Sequence, residues 1–235
     1  MVSDRPLYVR FKALMPRNDL IVKRACNDLL AGESAESIKS RLSELVEQLH
    51  ERVYKDYLEA ETRIGDQVLE EFSNELSFKK LDRFFLSVSQ SRKTRAGKAF
   101  EIILEELLAN KLGYPMEGQI KIRGAKPDFV MPDKKYFDQN PIDCMLLTAK
   151  RTLRERWRQV VTEANVTYSY FLATLDPDIT KGQLLQTAKH KIYLVTTKKK
   201  IAADEDYQSA GNVLSFEEFL SLHLDPAVER WEKNR

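Results

Sequence analysis

The sequence predicts an α/β fold with a mixed central β-sheet flanked by helices and a helical N-terminal region. In the first hundred residues, apolar side chains recur with the 3.6-residue period of amphipathic helices. After Pro115, short β-type runs alternate with helical segments, which is the pattern of a layered α/β domain. A chain of 235 residues suits one domain of ordinary size. We therefore expect a single domain, with residues 1–97 as the mainly helical region and residues 98–235 as the α/β core.

Four helices are predicted before the first strand. The first begins at residues 18–19, which can cap a helix, and ends at Gly32. The second begins near Ser34, and its apolar stripe consists of Ile38, Leu42, Leu45, Val46, Leu49 and Val53. A third carries Val68, Leu69, Phe72 and Leu76. The fourth covers residues 98–112, is apolar almost all round, and is stopped by Gly113.

Five strands are predicted in the second half of the chain. They cover residues 119–123, 128–131, 142–149, 170–175 and 191–197. A helix is expected between the third and fourth strands, and its apolar face carries Leu153, Trp157, Val160, Val161 and Ala164. Thr180 with Gln183 and Ser215 with Glu218 match the capping box, in which a hydroxyl precedes an amide or acid by three residues. We expect a helix to begin at each box.

Composition excludes several classes of protein. No apolar run approaches the roughly 20 residues that a membrane-spanning helix requires. The two cysteines, Cys26 and Cys144, lie far apart without metal-type spacing, which argues against a disulfide scaffold and a thiolate zinc site. The three histidines are isolated and form no metal-binding pair. We therefore expect a globular protein of the cytoplasm, with no membrane partner.

The net charge of +2 hides two strongly basic segments. Residues 79–98 carry seven Lys or Arg against Asp82, and residues 150–158 carry five against Glu155. Such a concentration of positive charge can attract a polyanion such as nucleic acid. The alternative is that both segments are solvated helix faces, and charge alone does not decide between the two.

Two residues at predicted strand ends carry the chemistry. Asp128 follows Pro127 at the start of one strand, and Lys150 ends the next strand, 22 residues later. A carboxylate and a lysine on neighbouring strands is the arrangement of the PD-(D/E)XK nuclease core. Hydrolysis of a phosphodiester requires a divalent cation held by oxygen ligands and a positive charge near the attacking water. The pattern predicts Mg²⁺ bound in part by Asp128, with Lys150 as the catalytic cation.

The usual second acid of that core is absent from the strand, where Thr148 stands two residues before Lys150. Glu163, 13 residues after Lys150, lies on the polar face of the predicted following helix and can supply the missing carboxylate. Glu101, 27 residues before Asp128, is embedded in an apolar helix, where a charge needs a partner or a metal. We therefore expect Asp128, Glu163 and Glu101 as metal ligands.

These segments together resemble the EcoRII, SsoII and PspGI group of type II restriction endonucleases. The resemblance rests on three stretches of this chain: SQSRKTRAGKAFE, PDF and TAKRTLRERWRQVVTEA. In that group the second acid is moved from the strand to the next helix, which matches the position of Glu163. The group's Arg-(Asp/Glu)-Arg recognition motif falls on Arg154, Glu155 and Arg156, and its recognition glutamine falls on Gln90.

The resemblance implies a Mg²⁺-dependent enzyme that cuts double-stranded DNA at a CCNGG or CCWGG site, before the first cytosine. It implies a homodimer that flips the central bases out of the helix. Arginine and glutamate are also suited to reading G·C pairs in the major groove. The predicted loop that contains Gln90 carries Arg92, Lys93 and Arg95, and Lys98 begins the helix that follows it. These cations are expected to hold the DNA backbone. The stacking residue for a flipped base stays unknown, with Phe11, Tyr54 and Tyr57 as aromatic candidates.

Two alternatives stay open at this stage. Another PD-(D/E)XK nuclease, such as a repair or junction-cutting enzyme, would share the acids and Lys150 but would tolerate loss of the Arg-Glu-Arg triplet. A non-catalytic DNA-binding protein would use its acids only to balance its basic segments. Metal dependence separates the second alternative, because a pure binder does not nick plasmid DNA in magnesium.

Overall fold

The computed structural model describes residues 6–122, 126–153 and 169–234. This part of the chain forms two compact units, each assembled from two stretches of sequence. The first unit contains residues 1–31 and 49–102, and the second contains residues 32–48 and 103–235. The predicted division into residues 1–97 and 98–235 stays a prediction.

The helices of the first half of the chain differ from the prediction in their bounds, and the two longest exceed it. They are α1 (Pro6–Leu14), α2 (Asn18–Leu29), α3 (Ala35–Ser40), α4 (Leu42–Glu71) and α5 (Phe78–Glu105). Helix α4 unites most of the predicted second and third helices, because its buried residues continue without a break through Val53, Tyr57, Ile64 and Val68. Gly32 and Gly113 both have positive φ angles, 78° and 74°, which is the conformation expected of glycine at a helix end.

The predicted basic loop around Gln90 is helical, which corrects that part of the prediction. Residues 78–105 form one helix, α5, followed by a π-helical turn from Glu106 to Lys111. Phe84, Val88 and Ala99 are buried on one face, so a polar sequence still presents an apolar stripe at helical spacing. Gln90 is exposed on this helix, and its main-chain oxygen accepts a hydrogen bond from the Thr94 hydroxyl at 3.2 Å.

The second unit contains a six-stranded sheet with strands in sequence order. The strands are β1 (Glu117–Gly118), β2 (Phe129–Met131), β3 (Met145–Ala149), β4 (Tyr170–Ala173), β5 (Ile192–Thr196) and β6 (Val213–Ser215). β1, β2 and β3 pair antiparallel, whereas β3, β4, β5 and β6 pair parallel. The predicted mixed α/β architecture is confirmed. The short strand β6 was not predicted.

The remaining helices of the second unit lie between and after the strands. They are α6 (Lys134–Gln139), α7 (Lys181–Lys189), α8 (Lys198–Ala202), α9 (Glu205–Ser209), α10 (Phe216–Glu218), a π-helical turn (Phe219–Leu224) and α11 (Asp225–Lys233). Both predicted capping boxes are formed, at Thr180 and at Ser215. Within the described ranges, no helix is both long and apolar enough to cross a membrane.

Candidate active site

Asp128 and Lys150 meet at one edge of the sheet in the second unit. The Lys150 Nζ lies 2.9 Å from Asp128 Oδ2, and the same oxygen accepts a hydrogen bond from the main-chain N–H of Ala149 at 2.8 Å. The two side chains are 11% and 16% exposed, so the ion pair is largely shielded but still open to solvent. The sequence prediction that these two residues form one site is therefore supported by their geometry.

Antiparallel pairing brings the two residues together. Phe129 pairs with Leu147, so the start of β2 lies beside the end of β3. Asp128 directly precedes β2 and Lys150 directly follows β3, which places both at the same edge. β2 and β3 are buried throughout, and the charged groups Asp128 and Lys150 lie just beyond the strand ends.

Thr148, which stands where the usual second acid would be, is fully buried. Its Oγ1 accepts a hydrogen bond from the Tyr170 hydroxyl at 2.8 Å. A carboxylate at this position would carry the cost of burying a charge. The local packing is consistent with a second acid supplied from another segment.

Asp128 has a suitable oxygen for a hard divalent cation. Its Oδ2 is engaged by Ala149 and Lys150, whereas its Oδ1 has no hydrogen-bond partner among the described residues. Carboxylate oxygens are the preferred ligands of Mg²⁺, which usually keeps several waters. Within the described ranges no group of three or more His, Cys, Asp or Glu side chains could hold a metal. Asp128 therefore fits as one member of a ligand set that the described residues do not complete.

Glu101 and the other predicted contacts on α5 belong to the first unit. The carboxylate of Glu101 accepts a hydrogen bond from Lys98 Nζ at 2.7 Å, and its side chain is 21% exposed. The charge embedded in this apolar helix thus has a cationic partner, one of the two possibilities that the sequence suggested. Its predicted role as a metal ligand stays a prediction.

The predicted backbone-binding cations of α5 differ in their availability. Arg92 pairs with the buried carboxylate of Glu61. Arg95 donates to the main-chain oxygen of Pro16 at 2.7 Å and to Asn18 Oδ1 at 3.1 Å. Lys93 is exposed and has no partner among the described residues. Lys93 is consequently the cation of this group that is most available to a phosphate.

Four predicted site residues lie outside the described residues. They are the recognition residues Arg154, Glu155 and Arg156 and the helix acid Glu163. The segment that leads to them is described as far as Leu153, which is fully buried. Their predicted roles stay predictions.

Two features of the described residues were not found from the sequence. The first is a cavity in the first unit, lined in part by His50, Tyr54, Tyr57, Arg92 and Arg95. The second is the buried carboxylate of Asp176, which accepts a hydrogen bond from the main-chain N–H of Leu153 at 2.6 Å. The Asp-Pro-Asp sequence at 176–178 is typical of a turn and contains no information on this long-range contact.

A family model described as EcoRII C terminal matches residues 56–220, about 70% of the chain. The chain belongs to the EcoRII C-terminal family. The match includes Asp128, Lys150 and the Arg154–Arg156 triplet, together with Gln90 and Glu101. The resemblance inferred from the sequence is confirmed at the level of the family.

Relatives of this EcoRII C-terminal chain agree with that assignment. This chain is 36% identical over 151 residues to the type II restriction enzyme SsoII from Shigella sonnei. The match covers 60% of this chain and 48% of the relative. The chain thus spans about half the length of that curated relative. Metal-depleted Ecl18kI in complex with uncleaved DNA superposes with a TM-score of 0.80 at 25% identity, covering 98% of this chain and 84% of the other. PspGI in its substrate DNA complex gives 0.72 at 24% identity, covering 93% and 94%, and supports the fold.

Proposed function

We propose that the chain is a type II restriction endonuclease that hydrolyses phosphodiester bonds in double-stranded DNA. The observation that carries the proposal is the Asp128–Lys150 pair at the sheet edge of a chain from the EcoRII C-terminal family. SsoII is a type II restriction enzyme, and the Ecl18kI and PspGI structures are DNA complexes. A CCNGG or CCWGG target, cut before the first cytosine, is the form of specificity that we propose.

In the proposed reaction, Asp128 and Lys150 act at the scissile phosphate. Asp128, Glu163 and Glu101 would hold Mg²⁺, which lowers the pKa of bound water and offsets the charge of the phosphate when it is bound. Lys150 would place its ammonium group near the scissile phosphate and orient the attacking water. The hydrogen bond from Ala149 keeps the Asp128 carboxylate facing the sheet edge, so the pair is positioned before DNA arrives.

Recognition is proposed to use two sides of the DNA. Arg154 and Arg156 are suited to bidentate contacts with guanine, and Glu155 can accept a hydrogen bond from cytosine in the major groove. The amide of Gln90 offers both a donor and an acceptor, which suits a check of G·C pairs from the minor groove. Its exposed position on α5 supports this role.

The cavity in the first unit is a candidate site for a flipped base. Phe11 is fully buried and packs edge-on against Phe84 at 5.6 Å between ring centres, so it is not available for stacking. Tyr57 is buried, and burial together with the nearby Glu61 raises its pKa to about 12, which keeps the phenol neutral. Tyr54 lines the same cavity and is 37% exposed. We therefore propose Tyr54 as the stacking residue.

The assembly is proposed to be a homodimer in the cytoplasm. A nearly palindromic site is read by a protein with two-fold symmetry, each subunit contacting one CC:GG half. A short site with two equivalent strands also needs two catalytic centres for a double-strand break.

The test is digestion of a sequenced plasmid with and without Mg²⁺, followed by mapping of the fragment ends. Ends that fall before the first cytosine of CCNGG or CCWGG sites, only in the presence of Mg²⁺, are the expected result. Metal-dependent cuts at branched or damaged DNA without a fixed sequence would indicate a repair or junction nuclease instead. Binding without any nicking in Mg²⁺ would contradict catalytic activity.

A further inference from the structure

The carboxylate of Asp176 is the most buried acidic group in the described part of the second unit, with 4% of the residue exposed. It lies three residues after β4, and neither proposed catalysis nor proposed recognition uses it. Its Oδ2 accepts a hydrogen bond from the main-chain N–H of Leu153 at 2.6 Å. Its Oδ1 accepts one from the N–H of Asp178 at 3.0 Å, which closes a local turn.

Residues 174–176 are in turn fixed by the neighbouring strand. The main-chain N–H of Asp176 donates to Thr174 Oγ1 at 3.1 Å, and the N–H of Thr174 donates to the oxygen of Val195 at 2.9 Å. The Thr196 hydroxyl donates to the main-chain oxygen of Thr174 at 3.0 Å. Asp176 therefore projects from a segment that is held at the end of the parallel sheet.

The segment on the other side of the contact follows the catalytic strand. Ala149 is tied to Asp128, and the N–H of Lys150 donates to the oxygen of Ala173 at 2.9 Å. Leu153 is tied to Asp176 and is itself fully buried. The chain is thus fixed on both sides of Lys150, by one carboxylate at Ala149 and by another at Leu153.

Leu153 is bonded directly to Arg154, the first residue of the proposed recognition triplet. The length of chain between the catalytic lysine and the first recognition arginine is only three residues, and its last residue is held by Asp176. A bidentate contact with guanine requires a fixed approach of the guanidinium group. The anchor at Leu153 therefore fixes, relative to Lys150, the residue that directly precedes the proposed recognition triplet.

We propose that Asp176 is a positioning residue that couples DNA recognition to cleavage by fixing the segment between Lys150 and Arg154. It touches neither DNA nor metal in this proposal, and it acts through the main chain of Leu153. The inference rests on the proposed function, because it needs a sequence-specific endonuclease whose reader is the Arg154–Arg156 triplet.

The experiment uses the isosteric substitution Asp176→Asn. An amide offers one accepting oxygen, so it cannot serve both Leu153 and Asp178, and its NH₂ group faces one of these donors. Single-turnover cleavage is measured on a duplex with one CCAGG site and on a duplex whose outer C·G pair is replaced by T·A. The ratio of the two rates, measured on one preparation, does not depend on the fraction of folded protein. We expect the ratio to fall about tenfold, in the range of a weakened bidentate base contact.

Two further variants make the outcome decisive. Asp178→Asn makes the same change in charge at an exposed position of the same turn and is expected to keep the wild-type ratio. Arg154→Ala is expected to lower the ratio directly. If Arg154→Ala lowers the ratio and Asp176→Asn does not, the role of Asp176 is overturned while the proposed function stands. If the wild-type protein does not discriminate between the duplexes, the proposed function is overturned, and the inference with it.

A second variant, measured by amide hydrogen exchange without DNA and by the cleavage ratio, covers the case in which Asp176→Asn folds poorly. Thr174→Val removes the acceptor of the Asp176 N–H and leaves the carboxylate in place. We expect faster amide hydrogen exchange at Leu153 in this variant, together with a smaller fall in the cleavage ratio. Unchanged exchange at Leu153 and an unchanged ratio would overturn the proposed anchor.

Discussion

The Asp128 carboxylate accepts two hydrogen bonds on one oxygen, so its removal has two separable effects. Asp128→Ala deletes the proposed metal ligand, and we expect cleavage in Mg²⁺ to be abolished in a single-turnover assay. It also leaves the N–H of Ala149 without its acceptor, which costs about 1–3 kcal/mol in the free energy of unfolding. Asp138→Ala, an exposed acid on α6, is the control and should change neither quantity. Cleavage by Asp128→Ala at a rate near that of the wild type would contradict the site assignment.

The proposed stacking role of Tyr54 depends on its aromatic ring rather than its hydroxyl. With 2-aminopurine at the central position of a CCAGG duplex, fluorescence rises when the base leaves the base stack and is quenched again when the flipped base stacks on an aromatic ring. The fluorescence of the complex should therefore be higher with Tyr54→Ala than with the wild type, and Tyr54→Phe should keep the wild-type value. Equal fluorescence for the two variants would exclude stacking on this ring.

Lys93 provides a test of non-specific binding. Because it is exposed and lacks a partner among the described residues, Lys93→Ala should remove a phosphate contact without disturbing the fold. Binding to specific and random duplexes should weaken alike, and the slope of log K against log salt should fall by about one unit. The matched control is Lys55→Ala on α4, outside the basic segment. A loss confined to the specific duplex would contradict a backbone contact.

At the scale of single residues, the sequence predicted the pairing of Asp128 with Lys150 but not the anchor of Leu153. The pairing was predicted from two short apolar strands, one that begins at Asp128 and the next, which ends at Lys150. The anchor joins residues 23 positions apart across a parallel pair, and a turn signal at Asp176 contains no information on its distant partner. Arg92 and Arg95 were expected as free cations, but their partners, Glu61 on α4 and Pro16 between α1 and α2, are distant in sequence and cannot be predicted from local sequence.

At the scale of elements, helix α5 shows that a helix can form where a polar sequence predicts a loop. The polar stretch around Gln90 suggested a loop, yet a narrow stripe containing Phe84, Val88 and Ala99 suffices to form a helix when it is buried. The strands β2 to β5 were predicted within a few residues because they are short and apolar. β6 was missed because only Val213 and Leu214 of its three residues are apolar, and its last residue, Ser215, was assigned to the capping box of the next helix.

A histidine in the C-terminal helical segment predicts how the free energy of unfolding depends on pH. His223, in the π-helical turn, packs against Phe171 of β4 and Tyr193 of β5 at 5.1 and 4.7 Å between ring centres. Burial lowers the pKa of His223, so as the pH falls through 6.5 the unfolded chain binds a proton more readily than the folded chain. The free energy of unfolding should therefore decrease from pH 7.5 to pH 5.

Substitution of His223 measures its own contribution to the pH dependence of stability. In urea titrations, His223→Gln should show a smaller decrease in stability between pH 7.5 and pH 5 than the wild type. Leu222→Gln changes an exposed, non-titrating neighbour and should keep the wild-type pH dependence. The same pH dependence in His223→Gln and the wild type would show that His223 does not contribute.

At the scale of the whole molecule, the proposed homodimer predicts that each of its two catalytic centres cuts one DNA strand. If each subunit cuts one strand, an equimolar mixture of wild type and Asp128→Ala contains dimers with one active centre. Such dimers should nick a one-site plasmid and release open circles, whereas wild-type dimers should give linear product. Gel separation of the two forms measures the ratio. Linear product without excess nicking from the mixture would contradict one cut per subunit.

The burial pattern of the sheet also has a consequence for evolvability. Every residue of β2, β3 and β4 is buried, so these strands tolerate only apolar replacements of similar volume. The proposed reacting groups Asp128 and Lys150 lie just beyond the strand ends, and the proposed recognition triplet begins four residues after Lys150. Diversification of residues beyond the strand ends can therefore alter the target sequence while the strands stay constant. A library that randomises the triplet and keeps residues 145–149 fixed should yield more folded variants than one that does the reverse.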